Sequence, residues 1–393
     1  AKDDQFYKNT DCKAYQDFRD VLARKDIDAI VISTPDHWHV PLSMAALRAG
    51  KDVFSEKPTL TICEGRELDD EVTRRNAVFQ CGIEDRYLIK YHRLAGWVRA
   101  GLIGDLKTIH VHLRNKKPYS KDTPAPIPKG LNWNMWLGPA PFHPYTPTRP
   151  QPQNWRNIMD YSGGSLTDWG AHLIDTAQVG ASMDGSGPVE VSGTARELDP
   201  GKDLTNVPVN YKLHYRYANG VKMLVSDGKI NINIVGSKGW VECEGWNGKW
   251  AASDTGIMRV NEFGPEANYW QRPEIEHRDF LDAVVTSIVH IENKCINLYR
   301  GNYSAFEGQR AERLSQQQAA HLKQQQSIAH MQSFIDRFRA KATKAKQAQS
   351  RIKALEKMQL IAPAHIDSPF HFEFRAPRAL PSSLLKLDHV TTG

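Results

Sequence analysis

The sequence predicts an α/β chain in which a parallel sheet is followed by an open antiparallel sheet and then by a basic α-helical hairpin. Three observations support this prediction. Within residues 27–58, a short apolar run leads into helical periodicity and then into a second apolar run. Farther along, short apolar segments are joined by turn residues such as Asn219-Gly220. Toward the C-terminus, apolar residues recur in steps of three and four among Lys and Arg.

The chain is organised around residues 27–58. Residues 28–33 form a β-branched run that Thr34-Pro35-Asp36 stops, as in a strand buried on both faces of a parallel sheet. A helix from Pro41 to the glycine at position 50 follows, and residues 52–55 form the next strand. The loops after the two strands therefore meet at one carboxyl edge of the sheet, where ligands bind in such folds.

The same periodicity arguments place the other elements in order. We predict a helix near residues 15–22, a helix at 64–75, a strand at 77–82, a helix at 94–100 and a crossing strand at 107–114. The antiparallel strands follow at 189–196, 211–217, 221–226, 230–235 and 240–243. We expect this meander to supply an oligomer interface or a wall behind a substrate.

A proline-rich stretch separates the two sheets. Residues 117–152 hold ten prolines, with Trp133 and Trp136 among them. Proline lacks the N–H that a sheet requires, so this stretch is predicted to be a loop. Two interpretations stay open: a covering loop whose tryptophans pack, or a substrate lid.

Composition sets outer limits. The chain has 393 residues and 40% apolar content, enough for two or three domains with real cores. No run approaches the ~18 apolar residues of a membrane-spanning helix, so we expect a soluble protein without membrane contact, cytoplasmic by default. An export signal upstream of Ala1 would change that compartment. The five scattered cysteines indicate neither disulfides nor a metal site.

Three motifs carry a family resemblance: STPDHWH at 33–39, AALRAGKDVFSEKP at 45–58 and GGSLTDWGAHLID at 163–175. In this order they resemble the Gfo/Idh/MocA (glucose-fructose oxidoreductase and inositol dehydrogenase) family over about residues 1–279. The resemblance implies an NAD(P)-dependent oxidoreductase of a sugar, cyclitol or related polyol. It also implies a Rossmann domain at 1–105, a substrate and oligomerisation domain at 106–277, and a homo-oligomer formed through the open sheet.

The catalytic residues follow from this resemblance and from their chemistry. Hydride transfer from an alcohol needs a base for the hydroxyl proton and a cation near the oxygen. Asp168 and His172 are four residues apart, so a helix would let the carboxylate orient the imidazole. Lys57, at a strand end, would supply the positive charge. We expect Lys57, Asp168 and His172 to meet at one cleft, although an isolated Asp-x-x-x-His is more often a surface pair.

The family pattern also implies binding residues. It places Ser33, Thr34, Pro35, His37, His39, Glu56, Lys57, Trp155 and Arg156 against an NAD or NADP cofactor, and Tyr161, Asp168 and His172 against the substrate. For His37 and His39, an ordinary loop role stays open. For Trp155-Arg156, a structural cation–aromatic stack is an equal alternative.

One family feature is not found near Ala1. A dinucleotide-binding fold opens with a strand, a G-x-G-x-x-G turn and a helix that holds the pyrophosphate, followed by an acidic residue for the ribose. Neither the turn nor the acidic residue occurs near Ala1. We therefore expect an incomplete, N-terminally truncated Rossmann domain. The choice between NAD and NADP stays open, as does inactivity of the chain.

The C-terminal part has a different character. Residues 278–393 hold 17 Lys and Arg against 10 Asp and Glu, so all of the net charge of +6 lies there. GNYSAFEGQRAERLSQQQ and the basic segment at 334–365 resemble the linker between the two ATPase cassettes of ABC-F translation factors. We expect a junction at 278–302, a coiled-coil-like hairpin at 303–362 and the start of a truncated second cassette at 363–393.

This second resemblance implies a different partner. Lys341, Lys344, Lys346, Arg351 and Lys353 concentrate near the predicted hairpin tip, where they would contact the backbone of ribosomal RNA or tRNA. A merely solvated basic face stays open. The chain has no G-x-x-x-x-G-K-[ST], so ATP hydrolysis is not expected. We interpret the sequence as a chimera of two fragments, with an oxidoreductase as the leading function and an RNA- or ribosome-binding module as the alternative.

Overall fold

The architecture is taken from a computed structural model of the chain. It describes residues 13–114, 118–245 except 184, 197 and 200, 248–264, 267, 276–292, 295–338, 344–356 and 358. The described residues form two compact units that divide between Phe280 and Leu281. The expected second cassette at 363–393 lies outside the described residues.

The first sheet of the N-terminal unit is parallel, as predicted. Its strands lie in the order β1, β2, β3, and the helices α1 to α3 accompany them. The bounds are β1 Ala29–Ile32, β2 Asp52–Glu56, β3 Phe79–Gly82, α1 Phe18–Leu22, α2 His39–Arg48 and α3 Ile62–Arg75. Apolar residues of β1 and β2 pack against α2 and α3, with Val53 fully buried between them. This packing fixes the carboxyl edge on which the site is built.

The second sheet has seven strands in the order β10-β9-β8-β4-β7-β6-β5. The bounds are β4 Leu106–Arg114, β5 Glu190–Arg196, β6 Val209–Arg216, β7 Lys222–Gly228, β8 Asn231–Gly236, β9 Trp240–Cys243 and β10 Trp250–Ala252. The expectation of an antiparallel sheet is wrong at one pair, because β4 pairs in parallel with β7 and antiparallel with β8. The strands β7 and β8 lie on either side of β4 and run in opposite directions. The strand β4 can therefore be antiparallel to only one of them. The sheet is therefore mixed.

One face of this sheet is covered by helices. The helices α4 Ile89–Arg99 and α6 Ser165–Gly180 pack on Ile109, Val111 and Leu113 of β4, all of which are fully buried. The helix α4 begins five residues earlier than the sequence indicated. On the edge strand β5, by contrast, every residue is exposed.

The proline-rich stretch forms a cover with its own small core. It contains the short helix α5 Trp133–Leu137, where the rings of Trp133 and Trp136 stack 4.8 Å apart. Tyr145 and Tyr161 meet these rings edge-on. This packing agrees with the covering-loop interpretation.

The C-terminal unit contains a β-hairpin and a helical hairpin. The helix α7 Glu276–Val284 spans the division, and the later elements are β11 Ser287–Glu292, β12 Cys295–Arg300, α8 Tyr303–Phe338 and α9 Ala345–Glu356. The Arg351 guanidinium of α9 lies 3.6 Å from the ring centroid of Phe334 in α8. Ile335 of α8, one of the apolar residues that recur in steps of three and four, is 4% exposed. Within the described residues, every helix is too short or too polar to span a membrane.

Candidate functional site

The loop after β2 reaches the start of α6. The Lys57 ammonium donates to the Asp168 carboxylate at 2.8 Å and to the Asp168 carbonyl oxygen at 2.7 Å. The two side chains are only 10% and 18% exposed. The fold therefore brings together two residues that lie 111 positions apart in the sequence.

A second cation lies beside Asp168. Arg156 Nε is 3.8 Å from Asp168 Oδ2, and its guanidinium lies 4.3 Å from the ring centroid of Trp155. The cation–aromatic stack that the sequence left as an alternative is thus present. Arg156 also reaches the site, so two positive charges flank one carboxylate.

His172 lies one helical turn after Asp168 and is buried. Its Nδ1 lies 3.3 Å from Oδ1 of Asp85, a fully buried residue in the 3-10 turn Glu84–Tyr87 after β3. The sequence predicted that Asp168 would orient this imidazole. The structure instead places Asp85 at His172 Nδ1 and pairs Asp168 with Lys57, because helical spacing does not reveal which charges other elements bring to that face.

His39 connects the two loops at the sheet edge. One ring nitrogen lies 2.8 Å from the Thr34 carbonyl oxygen and the other 2.9 Å from the Pro58 carbonyl oxygen. The imidazole therefore bridges the end of β1 and the end of β2. Ser33 and Pro35 flank Thr34 at that end, with Ser33 exposed.

Asp36, inside the first motif, is buried and accepts a 2.6 Å hydrogen bond from Ser162. Burial raises the pKa of this carboxyl above its usual range, while the Ser162 hydroxyl and the charges of His39 and Lys57 oppose the rise. Its carboxyl therefore lies in the electrostatic field of the Lys57–Asp168 pair. From the sequence, Asp36 was predicted only as part of the turn that ends the first strand.

Three residues expected to bind cofactor or substrate are instead packed inside. His37 and Tyr161 are 1% and 0% exposed, and their rings lie 5.1 Å apart beside Trp136. Trp155 is also buried, in the same aromatic cluster. The family pattern placed these residues at the site, but in the structure their aromatic rings pack against one another and against Trp136 of the proline-rich segment. These residues therefore support the site from behind and have little surface that a ligand could contact.

A cavity of about 350 Å³ opens beside the end of β2. Its lining includes His39, Glu56 and Pro58 on one side and Gly65 and Leu68 of α3 on the other. This volume is in the range of small-molecule sites. Glu56 therefore faces accessible space, as a ligand-binding residue must.

A further carboxyl group lies at the same edge. Glu276 of α7 is half-buried, and burial followed by the charges of Glu56, Glu84 and Asp85 raises its pKa to about 7. Perturbed acidic groups of this kind concentrate at functional sites. The sequence motifs did not point to Glu276.

The residues at the β1 end offer a fit for a dinucleotide. Thr34 Oγ1 is buried without a hydrogen-bond partner among the described residues, so it has a polar contact to give. Lys57 and Arg156 add positive charge, and Glu56 adds an acceptor. Such a donor set at the carboxyl edge of parallel strands suits a nicotinamide and its ribose.

One cluster could also coordinate a cation. The sequence predicted no metal ligands, yet Glu84, Asp85 and His172 have ligand atoms within 4.8 Å of one another. Asp85 lies in none of the three family motifs, which end at residues 39, 58 and 175. The motif EDRY begins two residues after the last residue of β3, so the same carboxyl-edge argument points to it.

Three of the five hairpin residues that were predicted to contact RNA are exposed. Lys344, Lys346 and Lys353 are exposed, whereas Arg351 is partly buried against Phe334. Lys341 lies outside the described residues.

Family models match successive segments of the chain. Residues 1–83 match an oxidoreductase family model described as an NAD-binding Rossmann fold, and residues 113–303 match the C-terminal alpha/beta domain of the same family. The chain carries both domains of the Gfo/Idh/MocA oxidoreductase family. The family resemblance and the cofactor class expected from the motifs are confirmed by these two matches.

Two solved structures show a partial similarity to the chain. GenD2 from gentamicin A biosynthesis, in complex with NAD, is 17% identical with a TM-score of 0.49, covering 72% of this chain and 74% of that one. An aldose-aldose oxidoreductase from Caulobacter crescentus, complexed with glycerol, is 18% identical with a TM-score of 0.46, covering 64% and 72%.

A different family matches the C-terminal segment. Residues 289–372 match a model described as ABC transporter. The probable ATP-binding protein YheS of Escherichia coli K12 is 65% identical over 116 residues, which are 30% of this chain and 18% of YheS. ABC transporter F family member 3 of Arabidopsis thaliana is 42% identical over 104 residues, 26% of this chain and 14% of that protein. The chain thus spans under a fifth of these relatives, and the ABC-F resemblance is confirmed for this segment.

Proposed function

We propose that the N-terminal unit transfers a hydride between NAD or NADP and a sugar, cyclitol or related polyol. The observation that supports this most directly is the ion pair of Lys57 with Asp168 at the start of α6, the helix that carries His172 one turn later. A cation, a carboxylate and an imidazole within two turns of α6 are the groups that alcohol oxidation requires.

Each side chain has a distinct role in this proposal. When bound, the nicotinamide supplies the hydride acceptor. His172 takes the hydroxyl proton, and Lys57 stabilises the negative charge that develops on the substrate oxygen. Asp168 holds the Lys57 ammonium at 2.8 Å, which keeps the cation from swinging into solvent. Arg156 binds a second polar group of the polyol.

Binding and hydride transfer test this function separately. NADH and NADPH are titrated by fluorescence, and reduction of NAD and NADP is followed at 340 nm with a panel of sugars and cyclitols. H172N should lose turnover on the order of 10²–10⁴-fold while retaining cofactor affinity. The K57M variant removes the proposed cation and should also lower turnover. Its matched control is Lys107→Met, at an exposed lysine on β4. Equal turnover in K57M, H172N and wild type would reject the assignment.

We further infer a homo-oligomer formed through the outer face of the seven-stranded sheet. Val191 of the edge strand β5 is 58% exposed, and Val189, just before the strand, is 57% exposed. An exposed apolar edge strand can pair with another chain. Light scattering of Val191→Asp should show a smaller particle than wild type. An unchanged mass would remove β5 from the interface.

A second candidate function is RNA-backbone binding by the helical hairpin. The exposed ammonium groups of Lys344, Lys346 and Lys353 support it, together with the identity of this segment to ABC-F proteins. Each neutralised phosphate releases counterions, so affinity should fall steeply with salt.

A salt series with ribosomal RNA tests this candidate. The triple variant K344A/K346A/K353A should reduce the slope of log K against log salt by about 2, because each contact to single-stranded RNA contributes roughly 0.7. The triple variant K107A/K212A/K222A removes the same charge from exposed positions of the sheet and is the control. Equal slopes for the two variants would eliminate specific use of the hairpin.

A further inference from the structure

A cavity of about 470 Å³ opens at the amino edge of the parallel sheet, opposite the loops that carry the motif residues. It lies where α2 and α3 end and β2 begins, and three cationic side chains line it: Lys51, Arg74 and Arg75. Its volume is in the range of small-molecule sites. The cavity shares no lining residue with the one beside Glu56 at the carboxyl edge.

One buried carboxylate holds three guanidinium groups beside this cavity. Glu71 of α3 is only 3% exposed. Arg75 donates from Nε to its Oε1, and Arg74 donates from Nη2 to its Oε2. Arg48 of α2 lies with Nε 3.7 Å from Oε1. A buried carboxylate needs such partners, but its single charge balances only one of the three cations.

Most of the donors of the two lining arginines remain available to a ligand. A guanidinium carries five N–H groups in a planar fork. Within the part of the chain that the structure describes, Arg75 uses only Nε and Arg74 only Nη2. Their side chains are 32% and 64% exposed, so the remaining N–H groups are accessible from solvent. Such a fork matches two oxygens of a phosphate group and binds them with parallel hydrogen bonds.

A buried lysine adds to this positive charge. Lys51 is 8% exposed and donates to the carbonyl oxygens of Arg24 and Ile27 at 2.6 and 2.7 Å. These acceptors are neutral, so they fix the ammonium without cancelling its charge. The carboxylate of Asp52 also lines the cavity, and its Oδ1 accepts a 2.8 Å hydrogen bond from the Val78 amide. Four cationic side chains therefore lie beside two carboxylates, a surplus of two positive charges.

Cationic side chains also occur at helix ends for a structural reason, because each C-terminal end carries roughly half a negative charge. Here the last carbonyls are already occupied. The backbone amides of Asn76 and Ala77 donate to the Thr73 and Val72 carbonyl oxygens at the end of α3, and backbone amides serve the end of α2 in the same way. Two helix ends supply only about one negative charge between them. This is less than the surplus, so the cavity still attracts an anion.

We propose that this cavity binds a phosphate group, either free or carried by a small molecule, with Arg74 and Arg75 donating to the phosphate oxygens. Lys51 adds its charge from within the wall. Leu47 and Ala77 contribute apolar surface to the same lining, which suits the organic part of a phosphorylated compound. The proposal is independent of the hydride transfer at the opposite edge, and either can fail without the other.

The first test uses the wild-type full chain. Inorganic phosphate and glucose 6-phosphate are the probes, and glucose is the uncharged counterpart. In ¹H–¹⁵N spectra, the Arg74 and Arg75 Nε–H signals, assigned with R74K and R75K, should shift saturably with both phosphate probes and stay unchanged with glucose. Tighter binding of glucose 6-phosphate would assign the site to a phosphorylated small molecule, and equal affinity to free phosphate. Unchanged signals at millimolar phosphate would overturn the proposal, whether or not any variant folds.

Calorimetric titration of variants with glucose 6-phosphate locates the binding. R75Q should weaken affinity by about 10- to 100-fold, the effect of losing hydrogen bonds to a charged group. Arg216→Gln is the matched control, because Arg216 is an exposed arginine of β6 that pairs with Glu190, and it should stay within twofold of wild type. Equal weakening in R75Q and R216Q would show general attraction and overturn the proposal. Lost binding in K57M with full binding in R75Q would also overturn it, because the probe would then lie at the carboxyl edge.

Discussion

Replacing Lys57 by methionine should remove the nearer cation from the Asp168 carboxylate and destabilise the N-terminal unit by about 3 kcal/mol. Lys57 donates two short hydrogen bonds, and bonds to charged groups contribute about 1.5–3 kcal/mol each. Removing one partner of a buried ion pair costs about 3–5 kcal/mol. The low end applies here because both side chains retain some exposure and Arg156 lies 3.8 Å from Asp168.

Urea unfolding followed by tryptophan fluorescence measures this change. All ten tryptophans precede residue 281, so the signal reports on the N-terminal unit alone. In a double-mutant cycle, we expect about 3 kcal/mol for K57M, about 2 for D168N and a coupling energy of about 2. Lys107→Met should change the free energy of unfolding by less than about 0.5 kcal/mol, as exposed substitutions usually do. A K57M variant as stable as K107M, or strictly additive single changes, would refute the pairing.

Three further predictions use the same measurement. Gly138 has φ +52°, and a Cβ there would lie 2.2 Å from Trp38, so Gly138→Ala should cost about 2–3 kcal/mol; a loss below 1 would contradict that contact. Thr61→Ala removes the capping box that Thr61 forms with Glu64 at the start of α3, and we expect a loss of about 1 kcal/mol that Thr61→Ser largely restores. The pKa of Glu276 is raised from 4.5 to about 7, first by burial. Between pH 4.5 and 7 the folded state therefore binds more protons than the unfolded chain does. The free energy of unfolding falls as the pH rises through this range. Because this carboxyl is only half-buried, the fall should be about 1 kcal/mol from pH 4.5 to 8, and E276Q should abolish that part of it; an identical pH profile in E276Q would disprove the assignment.

Local pattern was sufficient to predict the elements around the site. The helix α2 and the strands that flank it follow from apolar periodicity and from the turn residues between them. That periodicity records which residues face the core, and a parallel sheet then delivers its loops to one edge. The expectation that Lys57 and Asp168 lie near each other came from the family resemblance, because Asp168 belongs to α6 and not to the parallel sheet.

The pairing of individual side chains required the tertiary structure. Helical spacing placed Asp168 and His172 on one face, but Lys57 and Asp85 arrive from other strand ends and divide that face between them. The parallel match of β4 with β7 likewise depends on where β4 enters the sheet, which lies outside any local window. The sequence by itself determined which elements form and which edge carries the chemistry, because both depend on local patterns of burial. Only the folded chain decided which carboxylate serves the lysine and which serves the histidine, because long-range packing sets the distance between charges.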